Sequence, residues 1–486
     1  MTSDFKLYSK KLNTLIDTDN DCEIRHITNN SREVSQYTLF IAYPGEKSDG
    51  RQYIPQAIAQ QAAAIIYEPG DGFVLPPTTI PCIPVKNIKT KQSQIAARFY
   101  DFPSQKIPVI GVTGTNGKTS ITHFIAQAMR CGVIGTIGNG LLPHLKKSVN
   151  TTPDGLQLQK IFAELIDAGA KAIAMEVSSH ALVQERVNDV AFHTAVFTNL
   201  TQDHLDFHHT MENYRFAKEL LFHQPGLKNA VINVDDEAGE YFAKKYQSAI
   251  HVITYSVAND NADIVAQHYT PTEHGFDISV KTPWGCGTFH CPLIGVFNIH
   301  NVLAVLGVLG VLGMQWNEII HALSQLNTVT GRMQLFHEKN SPTVIVDYAH
   351  TPDALEKVLQ SMRQHCAGKL WCVFGCGGDR DKTKRPLMGK IAEQWSDEFI
   401  VTNDNPRNES AGQIAQDILQ GVEDKRRCVV ELDRQMAIKK AIQQAGKQDW
   451  ILVAGKGHET EQIIGNLVLH HNDGEVVRHQ LQSRDS

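Results

Sequence analysis

An apolar run from Ile107 to Val112 passes through Gly111-Val112-Thr113-Gly114-Thr115-Asn116-Gly117-Lys118-Thr119-Ser120 into a helical pattern from Thr119 to Met129. A strand that feeds a helix through a glycine-rich turn restricts the chain to α/β arrangements, in which helices cover a sheet. The turn also specifies a ligand type. Successive backbone N–H groups and the positive end of the helix dipole form a concavity for phosphate oxygens. Lys118 adds a mobile charge, and Thr119 adds a hydroxyl suited to Mg²⁺. The common P-loop pattern wants glycine where Val112 stands, and Gly111 lies one place further back. The motif is therefore a variant P-loop, and the expected ligand is a nucleoside triphosphate.

At 486 residues the chain exceeds one ordinary core, and roughly three domains are expected from length. With 42% apolar and 20% charged residues it reads as globular. A formal net charge of −6 and a pI near 6.4 exclude the basic footprint of a nucleic-acid binder. The start, MTSDFKLYSK, has no apolar h-region, so no secretory signal is expected. The longest apolar run, Val302 to Met314, is shorter than the roughly 20 residues of a membrane span. It reads as a buried helix, and no membrane insertion is expected. Nine cysteines without a CxxC pair suit a reduced cytoplasm, the expected location. Cys286, His290 and Cys291 read as strand residues rather than zinc ligands, because no second cysteine pair accompanies them.

Three stretches differ in texture. Residues 1–102 carry short strands (Thr38 to Ala42, Ala63 to Tyr67, Ile80 to Val85) and a helical pattern from Thr90 to Tyr100. Asp101-Phe102-Pro103-Ser104 reads as a linker. Residues 103–334 alternate apolar runs (Val109 to Val112, Ala172 to Val177, Thr194 to Asn199, Ala230 to Asn233) with helical patterns, which predicts a mostly parallel sheet covered on both faces. Between Ile250 and Leu293 the texture predicts strands at an antiparallel edge. Residues 335–486 repeat the alternation at Val344 to Asp347, Leu370 to Phe374, Glu398 to Thr402 and Trp450 to Ala454. The expected class is α/β with three domains, the last two doubly wound.

Chemistry concentrates where strands end. Glu176 closes the run Ala172 to Val177, at the carboxyl edge where open α/β sheets bind ligands, and a carboxylate beside Thr119 supplies the oxygen that Mg²⁺ prefers. Met211, Tyr214, Lys218 and Leu221 share one helical stripe, so Lys218 is placed on an apolar face. Either it needs a compensating partner there, or it snorkels from the stripe's edge. After Phe374, a glycine-rich turn lacks GxGxxG spacing, and Arg380, Lys382, Lys384 and Arg385 gather around it. They suit an anionic partner or a solvated loop. Asp404-Asn405-Pro406-Arg407 follows another strand end, and the arginine fork suits a carboxylate. Gly455-Lys456-Gly457-His458-Glu459 follows a third, so three loops are expected to meet on one rim.

Together these strings closely resemble the Mur ligases, ATP-dependent amide-forming enzymes of peptidoglycan synthesis. Gly111 to Ser120, Met175 to His180, Thr198 to Asp206, Gly295 to Asn301, Gly331-Arg332-Met333 and Asp347 to Pro352 look like family motifs in family order, over essentially the whole chain. Asn30-Ser31-Arg32, with Gly45, Asp49 and Gly50, resembles the amino-terminal UDP-sugar domain of the branch that adds the third peptide residue.

The resemblance implies a UDP-binding amino-terminal domain, a P-loop ATPase-like central domain and a Rossmann-like carboxyl-terminal domain. It implies ATP contacts at Gly114, Thr115, Asn116, Gly117, Lys118, Thr119 and Ser120, with Asn298, Arg332 and Asp347 around the nucleotide. Two Mg²⁺ ions would be held by Thr119, Glu176, His204 and a CO₂-derived carbamate on Lys218. Lys118, Glu176, His204 and Lys218 are thereby the implied catalytic set. The UDP-muramoyl dipeptide is assigned to Asn29, Ser31, Glu46, Lys47 and Ser48, and further to Asn150, Thr151, Thr152, Ser178, Gln184 and Arg186.

The implied reaction phosphorylates the substrate's D-glutamate carboxylate, and an amine then displaces phosphate from the acyl phosphate. Asp404-Asn405-Pro406-Arg407 resembles the version in ligases that add meso-diaminopimelate, with Arg380, Gly455 and Glu459 completing that site. A lysine-adding ligase, a folylpolyglutamate synthetase and a nucleotide-gated binding protein are the alternatives; a P-loop kinase leaves the carboxyl-terminal rim unused. The expected partners are small molecules, and a monomer is expected.

Overall fold

The computed structural model describes residues 6–45, 48–148, 150–272 and 275–484. Strands β1 (Lys10–Lys11) and β2 (Glu23–Ile24) form a small antiparallel pair. Next come β3 (His26–Thr28), β4 (Thr38–Ala42), β5 (Ala64–Tyr67) and β6 (Cys82–Pro84), a parallel sheet in that order. Every residue of β4 is buried because both faces are covered. Leu39 and Ile41 join a core with the helix Ile88–Phe99, while Phe40 and Ala42 join another with the helix Ile54–Ala59. Leu156 and Ala163 of the helix Gly155–Asp167 complete the first of these cores, so the amino-terminal sheet is packed onto the central part.

The central sheet has 11 strands. They are β7 (Val109–Thr113), β8 (Cys131–Ile134), β9 (Asn139–Leu141), β10 (His144–Lys146), β11 (Ala172–Glu176) and β12 (Thr194–Phe197). The remainder are β13 (Asn229–Asn233), β14 (His251–Ser256), β15 (Ile264–Thr272), β16 (Gly275–Thr282) and β17 (Gly285–Cys291). Their order is β10-β9-β8-β11-β7-β12-β13-β14-β15-β16-β17, parallel from β8 to β15 and antiparallel at both edges. The expected antiparallel edge is thus β15–β17, while β14 still belongs to the parallel set. From β7 the chain crosses first to the β8 side and later to the β12 side. This reversal opens a crevice above the carboxyl end of β7, the usual ligand position in such sheets.

The helix predicted over Val302 to Met314 runs from Val296 to Val311. It stops early because Gly313, at φ +83°, turns the chain before Met314. It is apolar all round because it is wedged between the sheet and the helix Lys118–Ala128. Among the described residues no helix is long and apolar enough to cross a membrane. Cys286, His290 and Cys291 lie in β17 as ordinary strand residues: Cys291 is in the core, and His290 Nδ1 sits 2.9 Å from Asp277 Oδ1.

The carboxyl-terminal sheet contains β18 (Gln334–Phe336), β19 (Thr343–Asp347), β20 (Leu370–Phe374), β21 (Glu398–Val401), β22 (Cys428–Val430) and β23 (Trp450–Ala454). Its order is β18-β19-β23-β20-β21-β22, with only β18 antiparallel to its neighbour. A hairpin, β24 (Glu461–Ile464) and β25 (Leu467–His470), follows β23. Because β19, β20, β21 and β23 are parallel, the loops after them emerge on one edge.

Candidate active site

The glycine-rich turn caps the helix Lys118–Ala128, with Gly117 at φ +90° in the cap position. Gly114, at φ +146°, is required by space as well as by conformation: a Cβ there would lie 1.8 Å from Thr198 Oγ1. The turn is pinned to the loop after β12. Thr115 N–H donates to Asn199 O and Asn116 N–H to Asn199 Oδ1, both at 2.9 Å, while Thr198 Oγ1 donates to Asn116 O at 2.6 Å. Lys118 Nζ curls over the turn and donates to Gly114 O and Thr115 O, both at 2.8 Å. These atoms border a cavity of about 710 Å³, also lined by Thr119, Ser120, Glu176, His204, Asn298, Arg332 and Asp347.

Glu176, only 1% exposed, ends β11 beneath the turn. Its Oε2 accepts from Thr119 Oγ1 at 3.0 Å and Thr136 Oγ1 at 3.2 Å, and its Oε1 accepts from Thr136 N–H at 2.8 Å. A buried carboxylate touching a hydroxyl is the oxygen set that suits a hard divalent cation. Lys218 is 1% exposed in the helix Met211–Glu219, between Tyr214 and Leu221, so it does not snorkel. Its Nζ lies 4.2 Å from the centre of the Tyr214 ring, and burial, then the Lys118 charge, holds its pKa far below the usual lysine range. Tyr214 Oη accepts from Thr115 Oγ1 at 3.3 Å, tying this helix to the phosphate turn.

His204 adopts a left-handed conformation, φ +53°, and its ring stacks edge-on to His180 at 4.9 Å. Burial in the cleft lowers its pKa against the raising influence of Asp203, 3.4 Å away, although 46% of the side chain meets solvent. Among the described residues no three His, Cys, Asp or Glu side chains gather as a metal cage.

Arg332 reaches over from the turn just before β18. Its Nη2 donates to Thr119 Oγ1 at 3.2 Å and its guanidinium lies 4.4 Å from the Tyr348 ring centre, while its buried Nε has no hydrogen-bond partner. An unpaired charged donor beside the turn fits a phosphate oxygen. Asp347 and Asn298, expected near the nucleotide, line the cavity with their polar atoms already engaged. Asp347 accepts from Met333 and Ala349 N–H at 2.7 Å each, and Asn298 donates to Ile294 O and accepts from Asn301. Burial raises the Asp347 pKa.

On the other side of Glu176, Thr136 Oγ1 shares a 3.1 Å hydrogen bond with Thr151 Oγ1. Thr152 Oγ1 donates to Glu176 O at 2.8 Å and accepts from Ser178 N–H at 3.1 Å; Arg186 donates to Thr152 O and to Gln184 Oε1. Thr151, Thr152, Ser178, Gln184 and Arg186 are thus brought together, with Asn150 exposed beside them. In the amino-terminal sheet, Ser31 Oγ donates to Gln56 Oε1 at 2.9 Å, and Asn29 meets Asp154 and Tyr43. Ser48 is exposed, with its carbonyl accepting from Gly45 N–H. Glu46 and Lys47 lie outside the described residues.

The three carboxyl-terminal loops do meet. Asn405 Nδ2 donates to Glu459 Oε2 at 2.9 Å, the fully buried Lys456 donates to both Asn405 Oδ1 and Glu459, and Gly378 N–H donates to Asn405 O. Arg407, at φ +49°, donates from Nη1 to Gly378 O at 2.8 Å. Pro406 is buried behind it, and Gly455 approaches Asp404 so closely that a Cβ would lie 2.6 Å from Asp404 Oδ2. The basic cluster departs from expectation: Arg385 is fully buried on Glu409 and Asp417, and Lys382 also pairs with Glu409. Neither an anionic partner nor solvent takes that guanidinium. Lys384 donates to His350 O, which leaves Arg380 exposed at the rim.

Thr136 escaped the sequence reading, while Asp203, Tyr348 and Lys456 lay inside quoted motifs without a role of their own. Lys456 carried a usable signal, a cation between two glycines just after an apolar strand. Thr136 is an ordinary loop residue whose place beside Glu176 arises only in three dimensions.

Three family models match in chain order: Mur ligase family, catalytic domain, over 23–100; Mur ligase middle domain over 112–309; and Mur ligase, glutamate ligase domain, over 331–457. The chain is 50% identical to a Coxiella burnetii protein named UDP-N-acetylmuramoyl-L-alanyl-D-glutamate--2,6-diaminopimelate ligase, covering 97% of this chain and 99% of that protein. A Pseudomonas aeruginosa protein of the same name is 46% identical over 92% of this chain and 93% of its own. A solved structure bearing that ligase's name superposes with a TM-score of 0.71 at 33% identity, over 98% of this chain and 100% of the other.

Proposed function

This chain belongs to the Mur ligase family, and from that premise we propose that it joins meso-diaminopimelate to the D-glutamate side-chain carboxylate of UDP-N-acetylmuramoyl-L-alanyl-D-glutamate, consuming ATP. One observation carries the reading. A continuous set of hydrogen bonds runs from the phosphate turn to the Thr151–Thr152 segment, taken here as the acceptor loop: Thr119 to Glu176 to Thr136 to Thr151. A phosphoryl donor on the turn and a carboxylate on the loop therefore meet above Glu176. The full-length relatives that carry the name of this ligase support the choice of reaction.

Magnesium, when bound, supplies charge neutralisation for phosphoryl transfer. Thr119 and Glu176 are suited to hold one ion, and His204 with Lys218 a second. A neutral lysine amine can add CO₂, forming an N–C bond and releasing a proton. Burial of Lys218 favours that neutral form, and the resulting carbamate is an oxygen ligand where an ammonium would be costly.

The phosphate turn orients the donor through its N–H groups, and Lys118 and Arg332 face charge as it develops. The acceptor loop holds the glutamyl carboxylate in line, so the acyl phosphate forms beside the rim that presents the amine. Closure of the rim over the cleft excludes water, which destroys an acyl phosphate. At the rim Arg407 keeps its second guanidinium edge for the far carboxylate of diaminopimelate, the group that lysine lacks. A direct test is ADP release. It should require both the UDP-muramoyl dipeptide and the amino acid, with one ADP per amide; steady release with either one missing would contradict the assignment.

A further inference from the structure

Strands β21 and β23 are not neighbours, because β20 lies between them. The strands therefore relate the Asp404–Arg407 loop to the Gly455–Glu459 loop only through β20. Direct ties come from the Arg407 backbone, which pairs with Ile463 and Gly465, and from Asn405, Lys456 and Glu459 at the loop tips. At the loop bases one further side chain spans both, and it is placed oddly. Arg434 occupies the first turn of the helix Arg434–Gln444, with its side chain 0% exposed. Its Nη1 donates to Asn403 O at 3.2 Å, just before Asp404, and its Nη2 donates to Ala454 O at 2.8 Å, just before Gly455. Nε and Nη2 also form a two-point pair with Asp473 at 2.8 and 2.7 Å. Asp473 is itself 0% exposed, and His471 Nε2 lies 2.8 Å from its Oδ1.

Helix stability does not account for this arrangement, since a cation at a helix start faces the positive end of the dipole. Packing does not account for it either. An apolar side chain of similar volume fills a buried site at no greater cost than an ion pair that has lost its water. What the guanidinium alone supplies is a planar fork of donors. Asp473 fixes the plane, and the remaining donors reach two carbonyls, one just past the end of β21 and one at the end of the non-adjacent β23.

Resting on the assignment of these loops to the amino-acid site, we propose that Arg434, held in plane by Asp473, is a positioning residue for amino-acid selection. It fixes the spacing between Arg407 and the Gly455–Glu459 loop, and so the fit of an amino acid with a second carboxylate over one without. Arg434 is enclosed and acts only through those loops.

Arg434→Lys keeps a charge for Asp473 but cannot reach both carbonyls. The KM for diaminopimelate should rise about ten-fold or more, and the preference over lysine should fall by a similar factor, as a loosening near 1 Å produces. The KM values for ATP and the UDP-muramoyl dipeptide should stay within about two-fold. Amide hydrogen exchange should quicken together in 403–407 and 454–459 and remain unchanged in β19. Asp473→Asn, which keeps the shape and removes the charge, should give the same pattern more weakly.

A lowered kcat with the preference unchanged would overturn the proposal. So would collapse of both variants, because the pair would then hold the domain rather than the loops. If the unaltered enzyme did not use diaminopimelate, the underlying assignment would fail, while exchange in the two loops would still decide whether Arg434 couples them.

Discussion

Lys218 is a residue whose cost demands a function. An ammonium buried against Tyr214, with burial pulling its pKa far down, destabilises a fold unless its chemistry changes. Lys218→Ala should therefore leave the thermal midpoint level or higher while activity falls by about a hundred-fold or more. Short-chain carboxylic acids should restore part of the rate by supplying the missing oxygens. Full activity in the variant would remove the carbamate from the mechanism. Arg407 is the corresponding test at the rim. Arg407→Ala should lose most diaminopimelate activity, with ATP affinity retained, because removing the partner of a buried carboxylate costs about 3 to 5 kcal/mol. That corresponds to roughly two to four orders of magnitude in selection. Unchanged diaminopimelate turnover in this variant would place that carboxylate elsewhere. Both residues were legible in the sequence, Lys218 from helical spacing and Arg407 from its place after a strand. Arg434 was not, because a cation following Asp433 at a helix start reads as a capped, solvated end until the tertiary fold encloses it.

At the scale of elements, the phosphate turn shows how local chemistry and distant packing combine. Glycine is needed at 114 because the loop after β12 presses against it, with Thr198 Oγ1 1.8 Å from the site of a Cβ. Gly114→Ala should weaken ATP binding by about ten-fold or more, since the turn must shift away from β12 and misdirect its N–H groups. Isothermal titration checks this, and wild-type affinity would show that the turn is not the phosphate site. The strand–turn–helix order was readable from residues 107–129 alone. The clash partner was not, since Thr198 lies far along the chain. The same limit explains Arg385: a run of basic residues looks solvated in sequence, and only the packing of Glu409 and Asp417 against it shows the guanidinium to be internal.

At the scale of the molecule, loops of the central sheet and segments flanking the first strands of the carboxyl-terminal sheet face one cleft, and Arg332, just before β18, reaches Thr119 within it. The alternation of apolar and helical runs made the parallel sheets legible. The split of β4 between two cores, and the junction of the amino-terminal sheet with the helix Gly155–Asp167, depend on contacts too distant for any local pattern to reveal. A buried histidine in the helix after the phosphate turn makes the fold acid-sensitive. His123, 6% exposed behind the phosphate turn, has its imidazole pushed down from 6.5 to about 4 by burial. Above pH 6.5 neither state binds that proton; between 6.5 and 4 the unfolded chain binds it and the folded chain does not. Stability should therefore fall as pH drops through that window, by roughly 3 kcal/mol from this group. His123→Asn should flatten part of the decline in thermal midpoint between pH 7 and 4.5, and an unchanged slope would assign the sensitivity to other groups. The measurement that bears most directly on the ligase reaction is a competition read by mass spectrometry, with the UDP-muramoyl dipeptide, ATP and equal diaminopimelate, lysine and ornithine. The expected product is the diaminopimelate-bearing tripeptide in large excess; equal incorporation of lysine, or no amide at all, would contradict it.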